Sequence, residues 1–302
     1  MLKRLFKGLC SLVLLVIVAA LVVELWYLPR FLMSDARVEL STEESDEITI
    51  MSTNVRCYSP DDLFEKSWFY RADLIIADVN NVKPDIIGFQ EVSPLHYGYL
   101  QRAMPDYDSE IMYRDNWILS EGCPIFYRTD KYEKLDSGSF WLSETPDVMS
   151  KGWGAAHYRV ATYMILKDKA TGREFVVFNT HLDHVSEEAR INGIQVVLDK
   201  IAEFGGLPAF LMGDLNAHPD EETILFTHES FDDAHIIAKE KDEGATFQKW
   251  GTRLSDGNDK RIDYIMISKG AATVSEYRIL NNCYNGIWSS DHSSIYIKAK
   301  LN

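Results

Sequence analysis

Short apolar runs that end in carboxylate, amide and imidazole side chains constrain this chain more than any other feature. Asp85-Ile-Ile-Gly-Phe-Gln-Glu91, Phe175-Val-Val-Phe-Asn-Thr-His181 and Phe210-Leu-Met-Gly-Asp-Leu-Asn216 each join an apolar stretch to a polar terminus. Runs this short suit strands buried on both faces rather than amphipathic helices. Similar strand-like runs occur at Glu47–Ser52, Pro124–Tyr127, Ala161–Leu166, Ala209–Met212, Ile262–Ile267, Val274–Leu280 and Ser294–Ile297. Between them the period changes. Ser67–Val82 carries apolar Leu74, Ile75 and Val79 at helical spacing. Ser186–Phe204 sets Ile194, Val197, Leu198 and Ile201 in one stripe, with Ser186 able to cap it and Gly205 able to end it. The alternation predicts a single α/β domain over residues 48–302, with helix-covered sheets and the polar strand ends gathered into a site.

Charge narrows the partners. The 302 residues carry a formal charge of −15. Such a chain has no basic footprint for gripping a long duplex by its backbone. A phosphate-bearing substrate would be met by a metal ion or by a few placed cations. Cys10, Cys57, Cys123 and Cys283 match no zinc spacing and read as scattered structural thiols.

The N-terminus has its own pattern. From Leu9 to Leu28 only Ser11 and Glu24 are neither apolar nor aromatic. At about 1.5 Å per helical residue the run spans roughly 30 Å, one bilayer core. Lys3, Arg4 and Lys7 precede it, Trp26 and Tyr27 suit the headgroup belt, and Pro29 is expected to stop the helix. Residues 1–29 therefore read as a single-pass transmembrane anchor. Its N-terminus would be cytoplasmic and the domain extracytoplasmic. A signal peptide cleaved near Val18-Ala19-Ala20 is the rival reading. Residues 30–47 read as a solvated acidic linker, on the strength of Glu39, Glu43, Glu44, Asp46 and Glu47.

The polar strand ends hold the chemistry. Asn54 follows the first strand, Asp263 lies in Arg261-Ile-Asp-Tyr-Ile265, and Ser290-Asp291-His292 precedes the last strand. Carboxylates, amides and two histidines at strand ends are what metal-assisted cleavage of a phosphate ester requires. A hard cation wants oxygen ligands, the attacking water wants a positioned base, and phosphate oxygens want their charge neutralised.

Gln90-Glu91, Asn179-Thr180-His181, Gly213-Asp214-Leu215-Asn216 and Ser290-Asp291-His292 stand in an order and spacing that resembles the endonuclease/exonuclease/phosphatase superfamily. The resemblance covers about residues 48–300 and implies a four-layer α/β sandwich, two central mixed sheets flanked by helices. Phe140-Trp-Leu-Ser-Glu-Thr-Pro146 and Asn179-Thr-His-Leu-Asp-His184 are similar to a largely bacterial, membrane-anchored subgroup near the deadenylase-like branch. The resemblance implies Mg²⁺, or Mn²⁺, with Glu91 as principal ligand, Asn54 beside it and Asp291 as a further ligand. It implies that Asp214 orients or deprotonates the attacking water and that Asn216 holds phosphate or water nearby. His292 would contact phosphate and be oriented by Asp263; His181 would contact the scissile phosphate or leaving group. Arg159 and His184 would bind substrate. Both imidazoles are expected to have raised pKa values. The expected partners are a nucleotide, a short nucleic acid or a phospholipid headgroup, with the membrane reached through residues 9–28. A sphingomyelinase-like action would want an exposed apolar hairpin, and none is evident in the sequence. The alternative is a non-catalytic binding module that keeps the fold; it predicts loss of Glu91, Asp214, His181 or His292, and all four are present.

Overall fold

The computed structural model describes residues 2–42, 45–59, 61–252 and 261–302; the side chains at 2–5, 7, 20, 23 and 24 also lie outside the description. Glu43 and Glu44 of the acidic stretch therefore fall outside it. The helices are α1 (Leu2–Leu32), α2 (Trp68–Val82), α3 (Pro94–Ala103), α4 (Glu187–Glu203), α5 (Glu222–Ser230) and α6 (Ala234–Ile237). The strands, in chain order, are β1 (Ile48–Asn54), β2 (Ile86–Gln90), β3 (Tyr107–Glu110), β4 (Ile125–Arg128), β5 (Tyr132–Trp141), β6 (Val160–Asp168), β7 (Glu174–His181) and β8 (Ala209–Asp214). They continue with β9 (Phe231–Asp233), β10 (Glu240–Lys241), β11 (Asp263–Ser268), β12 (Ala272–Ile279), β13 (Cys283–Tyr284), β14 (Ile287–Trp288) and β15 (Ile295–Leu301).

Two mixed sheets carry the domain. One has the order β10-β12-β15-β1-β2-β4-β3, the other β5-β6-β7-β8-β11-β9. Their inner faces meet in a core built from Ile50, Ile86 and Ile297 on one side and Met164, Phe175, Phe210 and Ile265 on the other. The outer face of the first sheet packs Met51, Ile87 and Phe89 against Trp68, Ile75 and Val79 of α2 and Leu100 of α3. The outer face of the second packs Val176, Phe178 and Leu211 against Ile194 and Val197 of α4. The result is helix, sheet, sheet, helix, the expected sandwich. Ser186 caps α4 as expected, its hydroxyl accepting from Ala189 N at 3.1 Å.

Register gathers the site. β7 and β8 run parallel with His181 opposite Asp214, and β8 and β11 run antiparallel with Asp263 opposite Asp214. Three residues far apart in sequence thus form one row across the sheet. Gly213 makes the row possible. Its φ is +143°, and a Cβ there would lie 1.9 Å from the Thr180 carbonyl oxygen, so only glycine lets β8 pass β7 at this point.

The N-terminal region departs from expectation in two ways. Pro29 does not stop the helix. It lies inside α1, which continues to Leu32, with Met33 N donating to the Pro29 carbonyl at 2.9 Å. Residues 30–47 do not form a free linker throughout. Phe31 and Val38 are buried in the core beneath α2 and α3, and Val38 N donates to the Ala103 carbonyl at 2.8 Å. These two apolar residues anchor the start of the segment, because their burial removes apolar surface from water. Among the described residues no helix is long and apolar enough to cross a membrane.

Candidate active site

Asp214 lies at the centre. It is 2% exposed at the end of β8, and its Oδ1 accepts from Asn216 N at 3.0 Å. Its Oδ2 accepts from Asn54 Nδ2 at 3.1 Å and lies 3.5 Å from His181 Nε2 and 3.7 Å from His292 Nε2. Burial, then the neighbouring Asp263, pushes its carboxyl up to about 7. His292 is backed by Asp263, whose Oδ2 is 2.9 Å from Nδ1. Burial works against the imidazolium, but Asp263 and Asp214 outweigh it and carry His292 up to about 10. The Phe247 ring lies 4.8 Å from the His292 ring.

His181 behaves differently from the expectation. Burial first, and the Arg159 guanidinium second, hold it well below the ordinary imidazole range. The site therefore pairs one cationic and one neutral imidazole. Their neighbours explain the difference, since the Asp263 carboxylate faces His292 and the Arg159 guanidinium acts on His181.

Glu91 closes the other side. Burial would raise its carboxyl, but the Asn54 amide, the Cys57 backbone N–H and the cationic His292 hold it below the usual carboxylate range. Oε1 accepts from Asn54 Nδ2 at 2.9 Å and Oε2 from Cys57 N at 2.6 Å. Backbone strain concentrates here: Arg56, Glu91 and Asn216 all have positive φ, at 57°, 63° and 48°. Ligand atoms of Glu91, His181 and Asp214 lie within 4.8 Å of one another, and those of Asp214, Asp263 and His292 do likewise. Among the described residues Asp291 belongs to neither group; its Oδ2 is 3.8 Å from Arg56 Nη1. Asn54 is in the site, yet its NH₂ faces Glu91 while its carbonyl oxygen accepts from Arg56 N at 2.9 Å.

The expected substrate-binding residues lie on the flank of His181. Arg159 Nη2 is 3.4 Å from His184 Nδ1, and Arg159 Nε is 3.6 Å from Asp183. Asn216 Nδ2 donates to the Leu182 carbonyl at 3.0 Å, so this side chain fixes the loop after β7. Arg190 supports the same loop, donating to the Asp183 carbonyl at 3.1 Å.

Several contributors escaped the sequence reading. Arg114 and Glu121, ion-paired at 2.8 Å, line a recess with Glu91, Arg159 and His181. Burial, then Glu91, pushes Glu121 up to about 7. Arg71 on α2 is fully buried and donates to the carbonyls of Val55, of Arg56 at 2.7 Å and of Ser289 at 3.0 Å. It ties the loop after β1 to the segment before β15. Only charged residues in an otherwise ordinary loop and helix mark these positions, and nothing in their spacing sets them apart.

Comparison with known proteins agrees with this geometry. The model of the Endonuclease/Exonuclease/phosphatase family matches residues 51–292. A structure of an endonuclease/exonuclease/phosphatase from Bacteroides vulgatus is 33% identical with a TM-score of 0.80, covering 85% of this chain and 99% of that one. A mannosyl-6-phosphatase of Bacteroides thetaiotaomicron is 31% identical with a TM-score of 0.77, covering 83% and 99%. Nocturnin of Drosophila melanogaster is 26% identical, over 77% of this chain and 42% of its own length. The chain thus spans less than half of that curated relative. With the sandwich, the row across the sheet and the family match in agreement, the chain belongs to the Endonuclease/Exonuclease/phosphatase family.

Proposed function

We propose that this chain is a membrane-tethered, Mg²⁺- or Mn²⁺-dependent hydrolase of phosphate esters. One observation carries the reading: a single carboxylate, Asp214, held between a cationic and a neutral imidazole with the ionised Glu91 beside it. Asp214 orients a water and takes its proton as the water oxygen bonds to phosphorus and the bond from phosphorus to the leaving oxygen breaks. The departing alkoxide is protonated from solvent, which also receives the proton from Asp214. His292, held cationic by Asp263, donates to a phosphate oxygen as charge develops. Neutral His181 donates a hydrogen bond to the phosphate or leaving group, and Arg159 with His184 holds the substrate. Asn216 supports this by fixing the loop beside it.

Glu91 is the residue best suited to hold the cation, since it is buried, ionised and carries oxygen donors. His181 and Asp214 are within reach of the same ion; Asn54 and Asp291 would join only after their oxygens turn away from Arg56. When bound, the ion supplies charge neutralisation on the phosphate oxygens. The likeness to a mannosyl-6-phosphatase supports including phosphomonoesters among the substrates. Charge argues against long duplexes, as does the scatter of arginines among acids. The membrane tether rests on the apolar run from Leu9 to Leu28 and the basic residues before it.

Calorimetric titration of Mn²⁺ and Mg²⁺ into the full chain tests the cation. Binding should weaken in Glu91→Gln, and turnover of aryl phosphate mono- or diesters should stop on chelation and return on adding metal. Full activity after chelation would overturn the mechanism. The tether predicts retention in membrane fractions through a carbonate wash.

A further inference from the structure

We infer that the mouth of the active site faces the bilayer, and that apolar loops around it rest in the lipid interface, so that the substrate is a phosphate ester borne on a lipid. The inference deepens the proposed function and rests on its membrane tether.

Chain direction sets where α1 leaves the domain. β1 and β2 run parallel and end at Asn54 and Gln90, on the site side, so the first turn of α2 also lies at that end. There α1 docks. Tyr27 stacks edge-on against Tyr70 at 5.1 Å, Phe31 against Phe69 at 5.2 Å, and Arg30 pairs with Asp73 at 3.8 Å. The chain then runs away from the site along α2, where Glu39 N donates to Asn80 Oδ1 at 2.7 Å, and it enters β1 at the far end. The apolar run of α1 therefore leaves the domain at the site end. Tyr27, inside the run, already touches the domain, so no slack chain separates bilayer from site. Trp26, at 80% exposure, stands just outside the contact.

Exposed apolar side chains supply an independent observation. Most of those on residues 48–302 sit on loops at the site end: Phe64 after β1, Trp117 and Ile118 before β4, Val148 between β5 and β6, and Val185 after β7. Among the described residues the exceptions are Leu95 in the first turn of α3, Leu135, Leu225 and Ile236. Trp117 and Ile118 are 68% and 76% exposed at the tip of the loop that carries Arg114 and Glu121 into the recess. This is the apolar projection that sequence reading did not find. Tryptophan and aliphatic side chains on a rim around a polar site suit the interface of a bilayer. The strongly acidic chain adds a condition: like charge disfavours anionic lipid, so the rim should prefer a zwitterionic surface.

The test uses the full chain in phosphatidylcholine vesicles. Tryptophan emission should be quenched by bromine-labelled phosphatidylcholine, and Trp117→Ser should remove part of that quenching. An aryl phosphate held in the vesicle by an acyl chain should lose about tenfold in turnover in Trp117→Ser/Ile118→Ser, while the same aryl phosphate free in solution changes less than twofold. Equal loss on both substrates, or quenching unchanged by Trp117→Ser, would overturn the inference. A wild-type chain that is quenched yet turns over neither reporter would instead overturn the proposed function. Release of the chain by a carbonate wash would remove the tether on which both rest.

Discussion

Asp214→Asn should lower kcat by roughly 10²–10⁴-fold and leave KM nearly unchanged. Among the described residues Asp214 alone belongs to both clusters of ligand atoms: its Oδ2 faces Asn54, His181 and His292, and Oδ1 is fixed by Asn216 N. An amide keeps the shape and the bond from Asn216 but cannot take a proton from water. The substrate contacts proposed for Arg159 and His184 do not involve Asp214, so binding should survive. Steady-state kinetics on an aryl phosphate, with circular dichroism to show an intact fold, checks the expectation. A rise in KM as large as the fall in kcat would assign Asp214 to binding instead.

His292→Ala should cost roughly 10²–10³-fold in kcat, the usual loss on removing a donor to the developing charge. Asp263→Asn should cost less, because it leaves the ring in place and removes only the charge behind it. The sign of its pH effect follows from the structure. Asp263 and Asp214 raise His292 to about 10 against burial, so the imidazolium persists below that value and is lost as pH rises through it. Without the Asp263 charge the pKa falls, and the alkaline limb of the rate profile should move to lower pH. In the double variant the cost of Asp263→Asn should nearly vanish, since the two residues act as one unit. Simple additivity, with an unmoved alkaline limb, would separate Asp263 from His292.

How much of this was legible depended on whether a residue announced itself by type or only by place. Strands β2, β7 and β8 stood out because, after the exposed Glu174 that opens β7, both faces are buried and no charged or amide side chain interrupts the run before the polar end. Strand β5 did not. It lies at a sheet edge, where Glu133, Asp136 and Leu135 face outward and the pattern loses its apolar majority. Helix α3 is ten residues long and opens with Pro94, and its cap is the side-chain pair of Ser93 and His96, so its period was too short to read. The row His181, Asp214, Asp263 came from motif spacing, but register alone shows why the three meet. Cys57 contributes a backbone N–H, for which no side chain gives notice. The unequal protonation of the two histidines needed the position of Arg159, which lies in neither motif.

Arg71 has a consequence for how the domain opens. Its guanidinium is buried without a carboxylate bonded to it, and burial lowers its pKa to about 10. It bonds carbonyls from two chain segments more than 200 residues apart: Val55 and Arg56 on one, Ser289 on the other. Separating either segment would strand a buried cation and a carbonyl, at about 1–3 kcal/mol for each unmet group. The loop carrying Asn54 and the segment carrying His292 should then fluctuate as one cooperative unit rather than as two independent loops. Amide hydrogen exchange would show it: in the wild type the two segments share one opening free energy, and in Arg71→Met they part.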